Sequence, residues 1–227
     1  MPYELIIFDC DGTLVDTEYS NNLAMVQTLH SYGLKDYTIE YALDHFAGLK
    51  FSDIIGNISK ETDFTFPDDA GKRYVSIAND LRKEHMKPID HVENVVKTAK
   101  RYAAISVVSN GERNNVLSSL ERAKLKHYFD EEFIFTGLMA PNPKPAPDLF
   151  LLAAEKKGIN PAKTLVIEDS IAGITAARAA NMDAWGFYGT HHNPQYHVKT
   201  LEKTGAQRTY AKMSDIETAL HAIFESD

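Results

Sequence analysis

The sequence predicts an α/β protein with a doubly wound parallel sheet, interrupted near its beginning by an all-helical insertion. From residue 88 onward, short apolar segments alternate with helical patterns, as in parallel sheets whose strands are joined by helices. Between residues 17 and 86, helical patterns follow one another and no convincing strand separates them. We therefore expect a core domain formed by residues 1–16 and 87–227, and a helical domain formed by residues 17–86.

The individual elements follow from apolar runs and from the residues that end helices. Four consecutive apolar residues predict the first strand at Leu5–Phe8. Gly33, Gly48 and Pro67 separate the helical stretches of the insertion. These predicted helices lie at about Glu18–Tyr32, Ile39–Ala47, Ser52–Ile58 and Asp68–Met86. The later strands are predicted at about Ala104–Val108, Phe133–Phe135, Thr164–Ile167 and Ala184–Phe187. Further helices are predicted at Ile171–Ala180 and near Asp215–Phe224.

Composition and charge argue against several classes of protein. A net charge of −8 disfavours nucleic acid as a partner, because phosphate backbones are bound by clustered Lys and Arg. No apolar run approaches the roughly 20 residues that span a bilayer, and the first residues lack a signal-peptide pattern, so we expect no membrane partner and a cytoplasmic protein. The single cysteine, Cys10, fits a reducing compartment and a packed role. We expect a monomer.

Two acids, Asp9 and Asp11, directly follow the first predicted strand. The carboxyl ends of strands are where open α/β sheets bind ligands. Because side chains alternate along an extended chain, both carboxylates face the same crevice while Cys10 points away. Two like charges this close need a compensating proton or cation. The pair therefore predicts a bound divalent metal.

Two further positions carry groups that suit an anionic substrate. Ser109 and Asn110 follow a predicted strand and precede a turn at Gly111, so a hydroxyl and backbone N–H groups point outward, as phosphate oxygens require. Lys144 lies in a proline-rich loop, residues 141–148, whose stiffness keeps the ammonium from collapsing onto its neighbours. We expect Lys144 to neutralise the substrate.

A second pair of acids, Glu168 and Asp169, ends the strand predicted at Thr164–Ile167. Together with the first pair they supply four negative charges against the single positive charge of Lys144, so a site without metal would repel phosphate. Ligands that offer only oxygen favour a hard ion, Mg²⁺ before Ca²⁺ or Mn²⁺.

In their order and spacing, these motifs resemble the four-motif signature of the haloacid dehalogenase (HAD) superfamily. The matching residues are Asp9-x-Asp11-Gly12-Thr13, Ser109, Lys144 and Glu168-Asp169. The resemblance covers the whole chain and implies a Rossmann-like core. The insertion resembles the helical cap of that family. Lys144–Phe150 and Glu168–Gly173 are similar to the branch that contains β-phosphoglucomutase and small sugar phosphatases.

The resemblance implies two-step phosphoryl transfer. Asp9 would attack phosphorus and become an aspartyl phosphate, while Asp11, oriented by Thr13, protonates the leaving oxygen and later deprotonates water. The phosphoryl group would be held by Thr13, Ser109, Asn110 and Lys144.

The resemblance also implies a Mg²⁺ site. The ion would be held by the Asp9 carboxylate, the Asp11 backbone carbonyl and Asp169, with Glu168 joining directly or through a water.

Three functions remain open at this point. A phosphatase acting on a small phosphorylated sugar or sugar acid, such as 6-phosphogluconate, is favoured. A phosphosugar mutase shares every core motif, but its pattern has a histidine and an arginine where this chain has Asn21 and Phe51. A non-catalytic, receiver-like phosphoryl-binding protein needs no helical insertion.

Specificity is expected in the insertion, around Lys50 and Phe51. The Lys50 ammonium suits a carboxylate or a dense set of hydroxyls. The alternative is that Lys50 is a solvated charge at the rim.

Overall fold

The computed structural model describes residues 3–46, 49, 51–191 and 194–226. The strands are β1 (Leu5–Phe8), β2 (Val15–Asp16), β3 (Lys87–Pro88), β4 (Ala104–Ser109), β5 (Ile134–Thr136), β6 (Thr164–Glu168), β7 (Asp183–Phe187) and β8 (Arg208–Tyr210). The α-helices are α1 (Glu18–Ser31), α2 (Ile39–His45), α3 (Phe51–Thr62), α4 (Ala70–His85), α5 (Val92–Tyr102), α6 (Arg113–Arg122), α7 (Asp148–Lys157), α8 (Ile171–Ala179), α9 (Pro194–Thr204) and α10 (Met213–Glu225).

Six strands form one sheet in the order β5-β4-β1-β6-β7-β8, and every neighbouring pair is parallel. The chain order reverses at β1, whose neighbours are β4 on one side and β6 on the other. Open α/β sheets place their ligands at such a switch point, beyond the carboxyl ends of the strands. The predicted α/β fold class with a doubly wound parallel sheet is therefore confirmed.

The central strands are apolar because both faces of the sheet are covered. All four residues of β1 are fully buried. Leu5 and Ile7 belong to a core cluster that also contains Phe150 of α7, Ile174 of α8 and Leu201 of α9. Burial on both faces explains why the strands appear in the sequence as continuous apolar runs.

The described chain forms two compact units. The larger unit contains the six-stranded sheet and comprises the described residues up to Asp16, Lys87–Thr190 and those from Pro194 onward. In this unit β2 and β3 form a two-stranded antiparallel pair. The smaller unit comprises Thr17–Met86 together with His191.

The smaller unit contains α1 to α4 and has an apolar cluster of its own. This cluster includes Met25 and Leu29 from α1 and Ile54 and Ile58 from α3. A hydrogen-bonded contact also joins α1 to α4, because Arg82 donates to the Asn21 side-chain oxygen, with Nη2 at 3.0 Å.

Several element bounds differ from the sequence-based expectation. β2, β3 and β8 are not predicted, because two of them have only two residues and β8 is the polar edge strand Arg208-Thr209-Tyr210. The third helix is longer than predicted and ends at Thr62. The predicted end of the second helix, Ala47, lies outside the described residues.

Across the described ranges, no helix combines the length and the apolar character needed to cross a bilayer.

Candidate active site

Three acidic side chains meet at the carboxyl edge of the central strands. Asp9 directly follows β1, and its N–H extends the ladder by donating to the Ile167 carbonyl at 3.0 Å. Glu168 ends β6 and Asp169 follows it. All three side chains are buried, and one carboxylate oxygen of each lies within 4.8 Å of the others. In the part of the chain that the structure describes, this is the one acidic or histidine cluster with a metal-binding arrangement.

The Lys144 ammonium lies against this cluster. Its Nζ is 2.7 Å from Asp9 Oδ1 and 2.9 Å from Glu168 Oε1. It also donates to the Val108 carbonyl at 2.7 Å. An ammonium has three N–H donors, so these contacts use all of them. The ammonium also lies over the Phe150 ring, with Nζ 5.0 Å from the ring centroid, in a cation–π contact.

The loop that carries Lys144 is fastened to the end of β4 by Asn110. The Asn110 amide donates to the Lys144 carbonyl at 2.9 Å, and its oxygen accepts from the Lys144 N–H at 2.9 Å. Both polar groups of the Asn110 side chain are therefore used on the main chain. A role on phosphate, as predicted from sequence, would fall to the Asn110 backbone N–H.

The turn after Asp9 depends on a glycine. Gly12 has a φ of +91°, and a Cβ at this position would lie 2.1 Å from Asp169 Oδ2. Thr13 donates from Oγ1 to Asp169 Oδ1 at 3.3 Å. The first motif therefore confines the carboxylate of Asp169. The predicted role of Thr13 in orienting Asp11 remains a prediction, since its single O–H is directed at Asp169.

Asp11 and Ser109 come together at the turn that follows β4. Ser109 is buried, and its Oγ accepts from the Gly111 N–H at 3.0 Å. A Cβ built on Gly111 would lie 3.2 Å from Ser109 Oγ and 3.7 Å from Asp11 Oδ2. These distances place the Asp11 carboxylate beside the Ser109 turn.

Glu168 is held by the start of α8. Its Oε2 accepts from the Ser170 N–H at 2.6 Å, while Oε1 accepts from Lys144. Ser170 caps the helix as predicted, accepting from the Gly173 N–H at 3.0 Å. A Cβ on Gly173 would lie 1.8 Å from Glu168 Oε1, so this position must be glycine.

Burial and mutual repulsion shift the ionisation of the acids. Burial raises the pKa of Asp9 well above its usual range; Lys144 opposes this rise, and Glu168 and Asp169 add to it. Burial, followed by the charge of Glu168, raises the pKa of Asp169 as well. Burial alone would lower the pKa of Lys144, but Asp9 and Glu168 raise it above its usual range. The ammonium is therefore charged at neutral pH.

The residues present fit a divalent metal ion. Three buried carboxylates against one ammonium leave two negative charges when all are ionised, and a divalent cation neutralises them. The donor set is entirely oxygen, which suits Mg²⁺. Gly12 itself places no side chain against Asp169 Oδ2. Asp9, Asp169 and Glu168 offer the carboxylate ligands, although both Glu168 oxygens already accept hydrogen bonds.

Two contacts to this site have no signal in the sequence. Thr190 Oγ1 donates to the Gly12 carbonyl at 3.2 Å. His197 Nε2 lies 2.6 Å from the Asp169 carbonyl oxygen. Neither residue belongs to a recognisable motif, and both are remote along the chain from the groups they contact. Sequence reasoning therefore missed them.

Of the two specificity residues predicted in the insertion, the structure describes one. Lys50 lies outside the described residues. Phe51 begins α3, and its ring stacks on Tyr74 with 4.9 Å between centroids. One face of Phe51 is therefore used within the helical unit.

Comparison with known proteins places the chain in a family. The family of haloacid dehalogenase-like hydrolases matches residues 6–187, which is most of the chain, so the protein belongs to this family. A 6-phosphogluconate phosphatase from Escherichia coli (strain K12) is 30% identical over 203 residues, covering 88% of this chain and 90% of that protein. A fructose-1-phosphate phosphatase from the same strain is 32% identical over 183 residues, covering 80% and 95%.

A solved structure of similar fold carries ligands. A HAD family hydrolase from Deinococcus radiodurans, crystallised with bound phosphate and sodium, has a TM-score of 0.81 and 27% identity. The match covers 97% of this chain and 96% of that one. The resemblance to the HAD superfamily inferred from the motifs is thus confirmed.

Proposed function

We propose that this protein is a Mg²⁺-dependent phosphatase that hydrolyses a small phosphorylated sugar or sugar acid through an aspartyl-phosphate intermediate. The observation that carries this proposal is the buried cluster of Asp9, Glu168 and Asp169, with the Lys144 ammonium paired to two of them, Asp9 and Glu168. The proposal agrees with the names of two similar proteins, which act on 6-phosphogluconate and on fructose 1-phosphate. It also agrees with the phosphate bound by the hydrolase from Deinococcus radiodurans.

In this proposal Mg²⁺ is held by the carboxylates of Asp9 and Asp169 and the main-chain carbonyl of Asp11, with Glu168 completing the set directly or through a water. When bound, the ion supplies positive charge that offsets the carboxylates and the substrate phosphate. Glu168 has a second task, because its carboxylate fixes the Lys144 ammonium beside Asp9.

The first step transfers the phosphoryl group to the protein. A carboxylate oxygen of Asp9 forms a bond to phosphorus as the bond to the sugar oxygen breaks. Asp11, protonated, gives its proton to that leaving oxygen, so the products are an alcohol and an aspartyl phosphate.

The second step returns Asp9 to its initial state. Asp11, now a carboxylate, takes a proton from water, whose oxygen attacks phosphorus. The bond to Asp9 breaks, releasing inorganic phosphate and the Asp9 carboxylate.

Lys144 and the Ser109 turn stabilise the group in transfer. Negative charge spreads over the phosphoryl oxygens in the transition state, and preformed donors at those oxygens lower the barrier. In this proposal the donors are the Ser109 hydroxyl and the Asn110 backbone N–H, and the Lys144 ammonium contributes its positive charge.

We further propose that residues 17–86 act as a cap domain that selects the substrate, with Lys50 and Phe51 as specificity residues. Asn21 and Phe51 support a hydrolase over a mutase, because the mutase pattern has a histidine and an arginine at these two positions. The amide of Asn21 is used to bind Arg82, and Phe51 is packed on Tyr74.

The test is release of inorganic phosphate across a panel of sugar phosphates and phosphosugar acids, with Mg²⁺ or with EDTA. Asp9→Asn is the blank, and Asp36→Asn, an exposed change of the same kind, is the matched control. We expect turnover that needs Mg²⁺ in the wild type and in Asp36→Asn. Asp9→Asn should lose at least about 1,000-fold, because it lacks the nucleophile.

Other outcomes point to other functions. Interconversion of hexose phosphate isomers without phosphate release identifies a mutase. Mg²⁺ binding with neither reaction indicates a phosphoryl-binding protein.

The role of Lys50 has its own test. Lys50→Ala should raise KM for acidic substrates more than KM for neutral sugar phosphates, because an ammonium pairs with a carboxylate. Steady-state kinetics on one substrate of each kind measures both values. Equal changes remove the specificity role.

A further inference from the structure

We propose that His197 is a positioning residue that holds the metal-binding acid Asp169 in place through its main chain. This inference rests on the proposed function, since it assigns Asp169 to the metal. It concerns a residue that lies outside the four motifs and reaches the site from α9.

The contact itself is short and has a defined direction. His197 Nε2 lies 2.6 Å from the carbonyl oxygen of Asp169. A carbonyl oxygen only accepts hydrogen bonds, so Nε2 must carry the proton. His197 is partly buried. The imidazole therefore donates to the peptide group that joins the acid to the start of α8.

The position of His197 is fixed independently of Asp169. Leu201, four residues later on the same helix face, is fully buried in the core cluster of the sheet. Its side chain packs on β7 so closely that a Cβ on Gly186 would lie 2.9 Å from Leu201 Cδ1. Helix α9 is thus anchored by its apolar face, and His197 is presented one turn earlier.

Asp169 is then restrained at both ends. Its carboxylate is confined by Gly12 and by the hydroxyl of Thr13. Its main chain is restrained by His197. Without His197 the peptide group between Asp169 and Ser170 keeps the hydrogen bond of its N–H to Glu168 but loses the one to its carbonyl, so it has more freedom at the point where the chain turns into α8. The carboxylate would then be less well ordered for the metal.

A second donor from the same stretch of chain acts on the other loop of the site. Thr190 donates to the Gly12 carbonyl, and the chain before it is fixed by the Tyr188 N–H, which donates to the Tyr210 carbonyl at 2.9 Å. A Cβ on Gly189 would lie 2.2 Å from the Ala211 carbonyl oxygen, so the two segments are in close contact. Main-chain carbonyls of both acid-bearing loops therefore accept hydrogen bonds from the chain that follows β7.

The test compares two amides that differ in reach. In His197→Gln the terminal N–H₂ can occupy the place of Nε2, whereas in His197→Asn it is one methylene too short. We expect His197→Asn to weaken binding of Mn²⁺, followed by electron paramagnetic resonance, about tenfold, the lower end of the effect of removing an outer-shell partner. His197→Gln should stay within about threefold of the wild type.

Kinetics provide the second measurement. The Mg²⁺ concentration that gives half-maximal phosphate release should rise in His197→Asn by the same factor as the Mn²⁺ dissociation constant. KM for the substrate at saturating Mg²⁺ should not change. Lys199→Asn, an exposed change on the same helix, is the matched control and should leave both values unaltered.

The result that overturns the inference is a folded His197→Asn with wild-type Mn²⁺ affinity and wild-type Mg²⁺ dependence. If His197→Asn does not fold, His197→Ala, which also lacks the donor, takes its place: wild-type Mn²⁺ affinity in it overturns the inference, and a loss of affinity that His197→Gln does not share supports it. Failure of the proposed function appears separately, as a wild-type protein that does not bind Mn²⁺ or does not release phosphate.

Discussion

At Gly12 the two acidic motifs lie so close together that a side chain would not fit between them. The φ of Gly12 is in the left-handed region, and Asp169 Oδ2 occupies the space that a Cβ would need. We expect Gly12→Ala to lower kcat at least about 100-fold, because Asp169 is a proposed metal ligand and a displacement of about 1 Å is enough for a loss of that size. Phosphate release at saturating Mg²⁺ measures it.

Gly33→Ala is the matched control for this change. Gly33 has a nearly equal φ of +88°, but its Cβ would meet no atom within 4 Å. Both variants carry the backbone cost of about 1 kcal/mol for placing alanine in the left-handed region. Equal loss of activity in the two would show that strain, and not the approach to Asp169, is responsible.

Asp9, the proposed nucleophile, is expected to lower the stability of the protein when no metal is bound. Its carboxylate is buried beside two others, and burial raises its pKa. In EDTA we expect Asp9→Asn to have a Tm equal to or above that of the wild type, because it removes one repelling charge and leaves Lys144 on Glu168. Differential scanning calorimetry checks this; a Tm clearly below the wild type would show that the pair of Asp9 with Lys144 outweighs the repulsion.

The acids and Lys144 were predictable because each stands next to a strong local signal, a strand end or a proline-rich loop. Thr190 and His197 were not, because their contacts join segments far apart along the chain. Gly173 could have been found, since a glycine in the first turn of a helix indicates a close approach. The Glu168 carboxylate occupies that space.

At the scale of elements, Glu217 couples α10 to the start of α5. It accepts hydrogen bonds from His91 Nε2 at 2.6 Å and from Thr98 Oγ1 at 3.0 Å. The hydrogen bond from His91 lowers the pKa of Glu217, with a smaller contribution from Thr98. A lowered pKa in the folded state adds stability above the unfolded value of about 4.3, and that stability is lost as pH falls through the folded value.

Glu217→Gln should therefore lower Tm at pH 7 and have less effect in acid. We expect a loss of about 1 kcal/mol at pH 7, equal to a Tm decrease of about 2–4 °C, because hydrogen bonds to a carboxylate are lost. The difference from the wild type should shrink as pH falls below about 4. Thermal unfolding between pH 3.5 and 7, with the exposed Glu155→Gln as control, measures it; a pH-independent difference would contradict the ionic origin.

The presence of a buried strand was easier to predict than the residues at which it begins and ends. The buried strands are continuous apolar runs, so β4, β6 and β7 were located within a residue or two. Edge strand β8 and the paired strands β2 and β3 were not predicted, because short strands without an apolar pattern are hard to recognise in a sequence.

For the whole molecule, metal binding is expected to appear as thermal stability. Ligand that binds only the folded state adds about 2.7 kcal/mol at 100 times its dissociation constant. For a chain of this size that is a Tm increase of roughly 5–10 °C. We expect Mg²⁺ to produce such a shift in the wild type and a much smaller one in Asp169→Asn. No shift in the wild type at millimolar Mg²⁺ would count against a metal site at this cluster.

The fold class could be predicted because alternation of strands and helices restricts a chain to few architectures. The substrate could not, because the residues proposed to hold a phosphoryl group indicate nothing about the rest of the molecule attached to it.

The two hydrogen bonds between the Asn110 side chain and the Lys144 main chain have a consequence for the chemical lifetime of the protein. Asn110 precedes Gly111, and an Asn-Gly pair deamidates readily because the unhindered glycine nitrogen attacks the neighbouring amide. In the folded chain the amide is held at both ends by Lys144, and the Gly111 N–H is held by Ser109. Folding thus retards this ageing reaction. A molecule that deamidates while unfolded gains a carboxylate without an N–H donor, so it can still accept from the Lys144 N–H but can no longer donate to the Lys144 carbonyl.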